Sequence, residues 1–386
     1  MAKGPSDPQT VLKQLKELIE TPSVSSTDPA WDQGNIALIE RLAQFAEQAG
    51  FDVQIQPLQG SSNKANLIAT KGSGTQGLVL AGHSDTVPFD AGRWDSDPLK
   101  LCERDNRLYG LGTSDMKGFF PLALAAAANY RATDLKAPIT LIATADEEST
   151  MAGARALLKS QIHQARAVII GEPTSLRPIR MHKGMLMSRI VVNGRSGHSS
   201  NPSLGNNALD GLHSVMTELM ALRRSWQGLY NHPAFEVSYP TLNFGHVHAG
   251  DSPNRICAHS ELHFDLRLIP GLALEDITAA FQDICKRIAN ETQLDIRWEP
   301  LMDPVPPFEE GAESALIRLA ESLSSSEATS ALFATEAGFF KALGAEALVM
   351  GPGSIDLAHQ PNEYLRLDEL QPAITFMERA IYHYCT

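Results

Sequence analysis

Three acids in a row, Asp146, Glu147 and Glu148, close the stretch "ITLIATADEES", which begins as an apolar, β-branched run of the kind found in buried strands. Adjacent carboxylates in such a place are costly unless a positive partner or water meets them. Other segments deliver comparable groups. "LVLAGHSDTV" ends in His83 and Asp85, two residues apart and so on one face of an extended chain. A histidine with a carboxylate holding its second nitrogen has a fixed tautomer and raised basicity, which suits a metal ligand. Asp115 lies in the Gly-rich turn of "YGLGTSDMKG", Glu172 ends the apolar run of "AVIIGEPTS", and His359 follows a Gly-rich turn in "LVMGPGSIDLAHQPNEYL".

Histidines and carboxylates without cysteine favour a borderline divalent ion such as Zn²⁺ over a soft thiolate site. Two ions about 3.5–4 Å apart, bridged by one carboxylate, would hold a shared hydroxide and polarise a scissile carbonyl. One carboxylate must then stay off the metals to take the proton of the water.

Other motifs carry less. "HSELH", from His259 to His263, has its glutamate in the wrong place for the helical zinc motif H-E-x-x-H. Its strict alternation of apolar and polar residues is that of a strand, which separates the two imidazoles by about 13 Å at roughly 3.3 Å per residue. "HVH", at His246 and His248, could bind a metal, although two strand histidines near a turn are more often incidental. "GLGTSD" lacks the third glycine of a dinucleotide loop, and neither a Walker sequence nor a G-x-S-x-G elbow is present.

The elements that must position these groups follow from periodicity. "DPQTVLKQLKELIE" and "GNIALIERLAQFAEQAG" predict helices, the first opened by Asp7 and Pro8 and the second stopped by Gly50. "FDVQIQP", "ANLIAT", "LVLAGHSDTV", "PITLIATA" and "AVIIGEP" predict strands, with helices near 117–131 and 151–160 between them. That alternation predicts an α/β catalytic domain with a mostly parallel central sheet, and ligands of such sheets gather beyond the carboxyl ends of the strands. From residue 183 the order becomes β-α-β-β-α-β, that of a ferredoxin-like α+β unit. The expected division is a catalytic domain over 1–182 and 299–386, and an inserted domain over 183–298. "SLSSSEATS" is expected to be a loop, and 315–322 and 368–384 to be helices.

With 386 residues, 43% of them apolar, the chain can bury a large core and suggests two domains. Its 45 acids against 32 bases give a net charge of −13, which argues against nucleic acid and anionic membranes as partners. Four scattered cysteines without a C-x-x-C pair fit reduced thiols, hence a cytoplasmic protein. Neither an apolar leader nor a membrane-spanning run is evident.

Six motifs in order, "GHSDTVP", "YGLGTSDMKG", "ATADEE", "IIGEPT", "SGHSS" and "GPGSIDLAHQPNEY", resemble the dinuclear zinc amidohydrolases and peptidases, which include acetylornithine deacetylase, succinyl-diaminopimelate desuccinylase and aminoacylase. The likeness covers essentially the whole chain. It implies two Zn²⁺ ions, with Co²⁺ able to substitute: His83 and Glu172 on one, Glu148 and His359 on the other, and Asp115 between them, followed by a cis peptide bond. Glu147 would be the general base and Asp85 the carboxylate behind His83. His198 would reach from a partner subunit's inserted domain to the oxyanion, implying a homodimer. Asn254 and Arg267 would bind substrate, Arg267 by gripping a carboxylate. Further segments ("PTLNFGHVHAGDSPNRICAHSELHFDLR", "IIGEPTSLRPIRMHKG", "TEAGFF") are most similar to the acetylornithine-hydrolysing branch, which implies N2-acetyl-L-ornithine as substrate, acetate and L-ornithine as products, and a place in arginine biosynthesis. Glu336 in "TEAGFF" is the candidate contact for the substrate's cationic end. A desuccinylase, aminoacylase or dipeptidase specificity is the alternative, and a non-catalytic binding protein a more distant one.

Overall fold

The computed structural model describes residues 7–386; the expected lack of an apolar leader concerns the first six, which lie outside the described residues. The chain divides into two units, Met1–Arg180 with Glu310–Thr329 and Thr335–Thr386, and Met181–Glu309 with Ser330–Ala334.

The first unit is built on a mixed sheet in the order Asp52–Pro57, Ala65–Lys71, Ile139–Thr144, Leu78–His83, Ala167–Pro173, Glu346–Gly351. The last four run parallel, and they are the segments whose sequences are continuous apolar runs, buried along nearly their whole length. Two-sided burial is what parallel strands covered by helices require. Helices Ile36–Gln48, Phe119–Ala128 and Leu367–Cys385 pack into one core with them. Phe119–Ala128 is apolar on every side and buried from Phe119 to Ala127.

Two features of this unit set up the chemistry. His83 and Thr144 are register partners, so the histidine and the acidic run leave the sheet at one level. A small second sheet, Cys102–Arg104, Arg107–Tyr109 and Tyr364–Arg366, pairs Tyr364 with Tyr109 and so lays Glu363 beside the turn that carries Asp115. That turn is tight: Gly118 N–H bonds to Gly112 O at 3.1 Å, and a Cβ at Gly118 would fall 2.1 Å from Thr113 O. Only glycine closes it.

The second unit has the predicted β-α-β-β-α-β order, with antiparallel strands arranged Thr241–Ala249, His259–Leu268, Gly184–Asn193, Asp295–Pro300. Helices Ala208–Leu229 and Leu274–Thr292 cover one face through a core that includes Leu212, Phe264 and Phe281. The unit runs past the residue 298 expected from sequence. The Pro-rich segment stays with it because Leu301 N–H and Val305 N–H bond to Met187 O and Met185 O, each at 2.9 Å.

Two local expectations fail. The helix expected over 151–160 shrinks to Ala152–Arg155, since Met151 takes a left-handed φ of 54° and Gly153 N–H bonds back to Ala145 O. "SLSSSEATS" holds the end of the helix Ala315–Ser324 and the start of a strand, Thr329–Ala331, rather than a plain loop.

Candidate metal centre

His83, Glu147 and Glu172 form one group whose ligand atoms lie within 4.8 Å of one another, and His83, Asp115 and Glu148 form a second. Asp115 stands between two imidazoles, with Oδ1 at 3.0 Å from His83 Nε2 and Oδ2 at 3.6 Å from His359 Nε2. Glu172 Oε2 is 3.9 Å from His83 Nε2, and Glu148 Oε2 is 2.9 Å from His359 Nε2. His83, Asp115 and Glu172 are buried, while the His359 side chain keeps 53% of its surface exposed. The peptide bond Asp115–Met116 is cis. The strand exits named from sequence thus converge on one rim.

Charge is unbalanced on that rim. Burial, then the charges of Glu172 and Glu148, push Glu147 well above the ordinary carboxylate range, against the opposing pull of His83. Burial and the charge of Asp115 likewise raise Glu172, which His83 only partly offsets. Burial would lower His83, but its hydrogen bond to Asp115 and the charges of Glu172 and Glu147 lift it well above the usual imidazole range. Glu172 Oε1 is buried without a hydrogen-bond partner among the described residues. Four carboxylates sharing two imidazoles, one oxygen left unpaired, and no thiolate is a donor set that fits divalent ions.

Asp85 differs from its expected role. His83 Nδ1 lies 2.9 Å from the Asp85 main-chain oxygen and 3.8 Å from its carboxylate. The strand ends at His83, so the two-residue rule for an extended chain no longer aims both side chains together. The Asp85 carboxylate instead accepts the main-chain N–H groups of Glu147 at 3.2 Å and Glu148 at 3.1 Å. One residue therefore orients the imidazole through its backbone and the acidic turn through its side chain.

The positive partner demanded by the acidic run is Lys64, which sequence reasoning missed. Its Nζ, on a side chain only 6% exposed, lies 2.6 Å from Asp32 Oδ1 and 2.5 Å from Asp146 Oδ1. Ser25 Oγ also donates to Asp146 Oδ1, at 3.0 Å. Asp146 thus anchors the turn away from the rim. A lone lysine before an apolar strand carries no pattern that would have revealed this.

Glu363 was missed too, although it lies in a quoted motif. Its carboxylate accepts N–H groups from Gly112 at 3.1 Å, Ser114 at 2.7 Å and Asp115 at 2.9 Å. It holds the turn that presents Asp115.

Glu336 is not placed to meet a substrate's cationic end. The residue has 0% exposure. Burial pushes it up to about 7, and the groups it feels are Thr144, His83 and Asp85. It has no exposed atom, and its charge is among those felt by Glu147 and Glu172.

His198, Asn254 and Arg267 belong to the second unit. His198 and Arg255 form a β-bridge, and Ser199 N–H bonds to Asn254 O at 3.1 Å, so His198 and Asn254 lie on adjoining segments. His198 Nδ1 accepts the Ser200 N–H at 3.2 Å, which leaves the neutral ring's proton on Nε2. Arg267 Nε donates to Asp265 Oδ2 at 2.8 Å, so its charge is already shared with a carboxylate.

A mixed sheet with a parallel centre and a rim of carboxylates and histidines is the arrangement of a metal-dependent hydrolase. Residues 79–383 match the model of peptidase family M20/M25/M40, and the chain belongs to that family. Among its relatives, the acetylornithine deacetylases of Erwinia tasmaniensis and Salmonella typhimurium are each 44% identical over 370 residues, 96% of this chain and 96% of theirs. The fold is shared with aminopeptidase PepT from Bacillus cereus, at a TM-score of 0.75 and 17% identity over 98% of this chain and 99% of that one. A dinuclear metal-binding M20 peptidase from Bacillus subtilis shares it at 0.67 and 14% identity, over 97% and 98%.

Proposed function

We propose that this chain hydrolyses the amide bond of N2-acetyl-L-ornithine to acetate and L-ornithine, a step of arginine biosynthesis. The observation that carries the hydrolytic reading is the placing of Asp115 between His83 and His359, with Glu148 and Glu172 flanking and Glu147 alongside. The substrate rests on the 44% identity to acetylornithine deacetylases over nearly the whole chain.

His83, Asp115 and Glu172 would hold one divalent ion, and Asp115, Glu148 and His359 a second, with Zn²⁺ the fitting choice for imidazole and carboxylate donors. Such ions, when bound, acidify a water and polarise the acyl carbonyl. Glu147 takes the proton of the attacking water and returns it to the leaving α-amino nitrogen. A carboxylate that stays off the ions can make both transfers. Asp85 keeps Glu147 in place by holding its N–H. His198 donates from Nε2 to the developing oxyanion, and reaches the site of the other subunit in a homodimer joined through the inserted domain. Asn254 and Arg267 bind the substrate's polar groups. No helix among the described residues is long and apolar enough to cross a membrane, and we place the reaction in the cytoplasm.

Metal analysis of the purified protein, coupled to kinetics on acetylornithine, succinyl-diaminopimelate, acetylmethionine and dipeptides, tests this reading. The expected result is two divalent ions per chain at these ligands and the highest kcat/KM on acetylornithine. A higher kcat/KM on another of these substrates would move the specificity; two bound ions with no turnover on any would remove the enzymatic reading.

A further inference from the structure

We propose a third divalent-ion site, on the second unit, formed by His246, Glu261 and His263. The ligand atoms of these three residues lie within 4.8 Å of one another. His246 lies on the edge strand Thr241–Ala249, and Glu261 and His263 on its neighbour His259–Leu268. The imidazole centroids of His246 and His263 are 4.9 Å apart, and His263 Nε2 sits 2.8 Å from Glu261 Oε1.

The register creates this group. Phe244 pairs with Phe264, then the pairing shifts, and His246 pairs with His263. Gly245 is the extra residue of that bulge. In an unbroken ladder Gly245 would face His263, and His246 would face Leu262, turning its ring toward the helices. A bulge re-aims a side chain in this way, and here it puts His246 on the sheet face opposite the helical core. His248, the register partner of Glu261, follows on that face two residues along. Neither the "HVH" nor the "HSELH" spacing shows the site, because its two imidazoles come from different strands. His259 stays out of it, with Nδ1 bonded to Asn193 Oδ1 at 2.9 Å.

The neighbouring cation does not fill the site. Arg189 directs Nε and Nη2 at Glu299, 2.9 and 2.7 Å away, and only Nη1 faces Glu261, at 3.8 Å. Two imidazoles and one carboxylate, partly open to solvent, suit Zn²⁺ or Cu²⁺, with water completing the coordination. A bound ion would clamp the edge strand to its neighbour.

The test uses the whole protein, stripped of metal, reloaded with Zn²⁺ and desalted, with zinc counted per chain. Wild type should retain one more ion than either His246→Ala or His263→Gln, with turnover unchanged. His246 is exposed, so its removal leaves the core intact. Loaded with Cu²⁺, wild type should show nitrogen coupling from two imidazoles that His246→Ala loses. Amide exchange over 241–249 should slow on adding Zn²⁺ in wild type alone. Equal zinc counts in wild type and both variants would overturn the site. The difference of one ion does not depend on how many the catalytic rim holds, so this result and that of the substrate panel are separable.

Discussion

The carboxylate of Glu363 accepts the main-chain N–H of Asp115 at 2.9 Å, and it does so from the residue just before the short strand Tyr364–Arg366, near the far end of the chain. The same carboxylate takes two further amide donors of that turn. Glu363→Ala leaves three buried donors without an acceptor, each worth about 1–3 kcal/mol. We expect a lower melting temperature together with loss of bound metal, read by calorimetry and metal analysis, and milder loss in Glu363→Gln, which keeps one acceptor oxygen.

Glu147 and Glu148 are neighbours with different surroundings. Glu148 lies 2.9 Å from His359, whereas Glu147 groups with His83 and Glu172. Glu147→Ala should keep near-normal zinc content yet lose about 10²–10⁴ in kcat, the usual worth of a general base. Glu148→Ala should lose zinc as well as turnover. Full activity in the Glu147 variant would exclude it as the base.

Lys64 ties Asp32 and Asp146 together in a largely buried position. Removing one partner of a buried pair costs about 3–5 kcal/mol, because the other charges are stranded. Lys64→Met should destabilise the protein by that order in denaturant titration. The double variant Lys64→Met with Asp146→Asn should recover part of the loss, since one stranded charge has gone.

Glu336 gives a pH signature in the metal-free protein. Burial lifts its carboxyl from an ordinary 4.5 to about 7, so the folded state holds the proton more tightly than the unfolded one. Its stabilising contribution is complete below about pH 4.5 and is lost as pH rises through 7. Glu336→Gln should flatten the decline of the melting temperature across that window. Because the residue is fully buried, the same variant should lose activity equally on acetylornithine and acetylmethionine. A loss confined to acetylornithine would restore it as a contact for the cationic side chain.

Much of this was legible in the chain. The apolar runs at residues 78–83, 139–144 and 167–173 are strands buried on both faces, and such strands must sit inside a parallel sheet, whose exits gather ligands. The places of Asp85, Asp146 and Glu336 were not legible in the chain. Each takes its role from groups distant in sequence, or from a turn that ends the strand periodicity on which the reading relied.

The sequence alone determined which side chains stand at strand exits, since the two-residue strand period and the apolar runs are local properties. It determined the donor chemistry too, because histidines and carboxylates without cysteine select the class of ion. Tertiary structure alone decided that Lys64 neutralises Asp146, that Glu363 grips the turn of Asp115, and that a bulge brings His246 to His263. The physical reason is common to all three: contacts between segments depend on register and on how the chain returns, and one residue of slip sends a side chain to the other face.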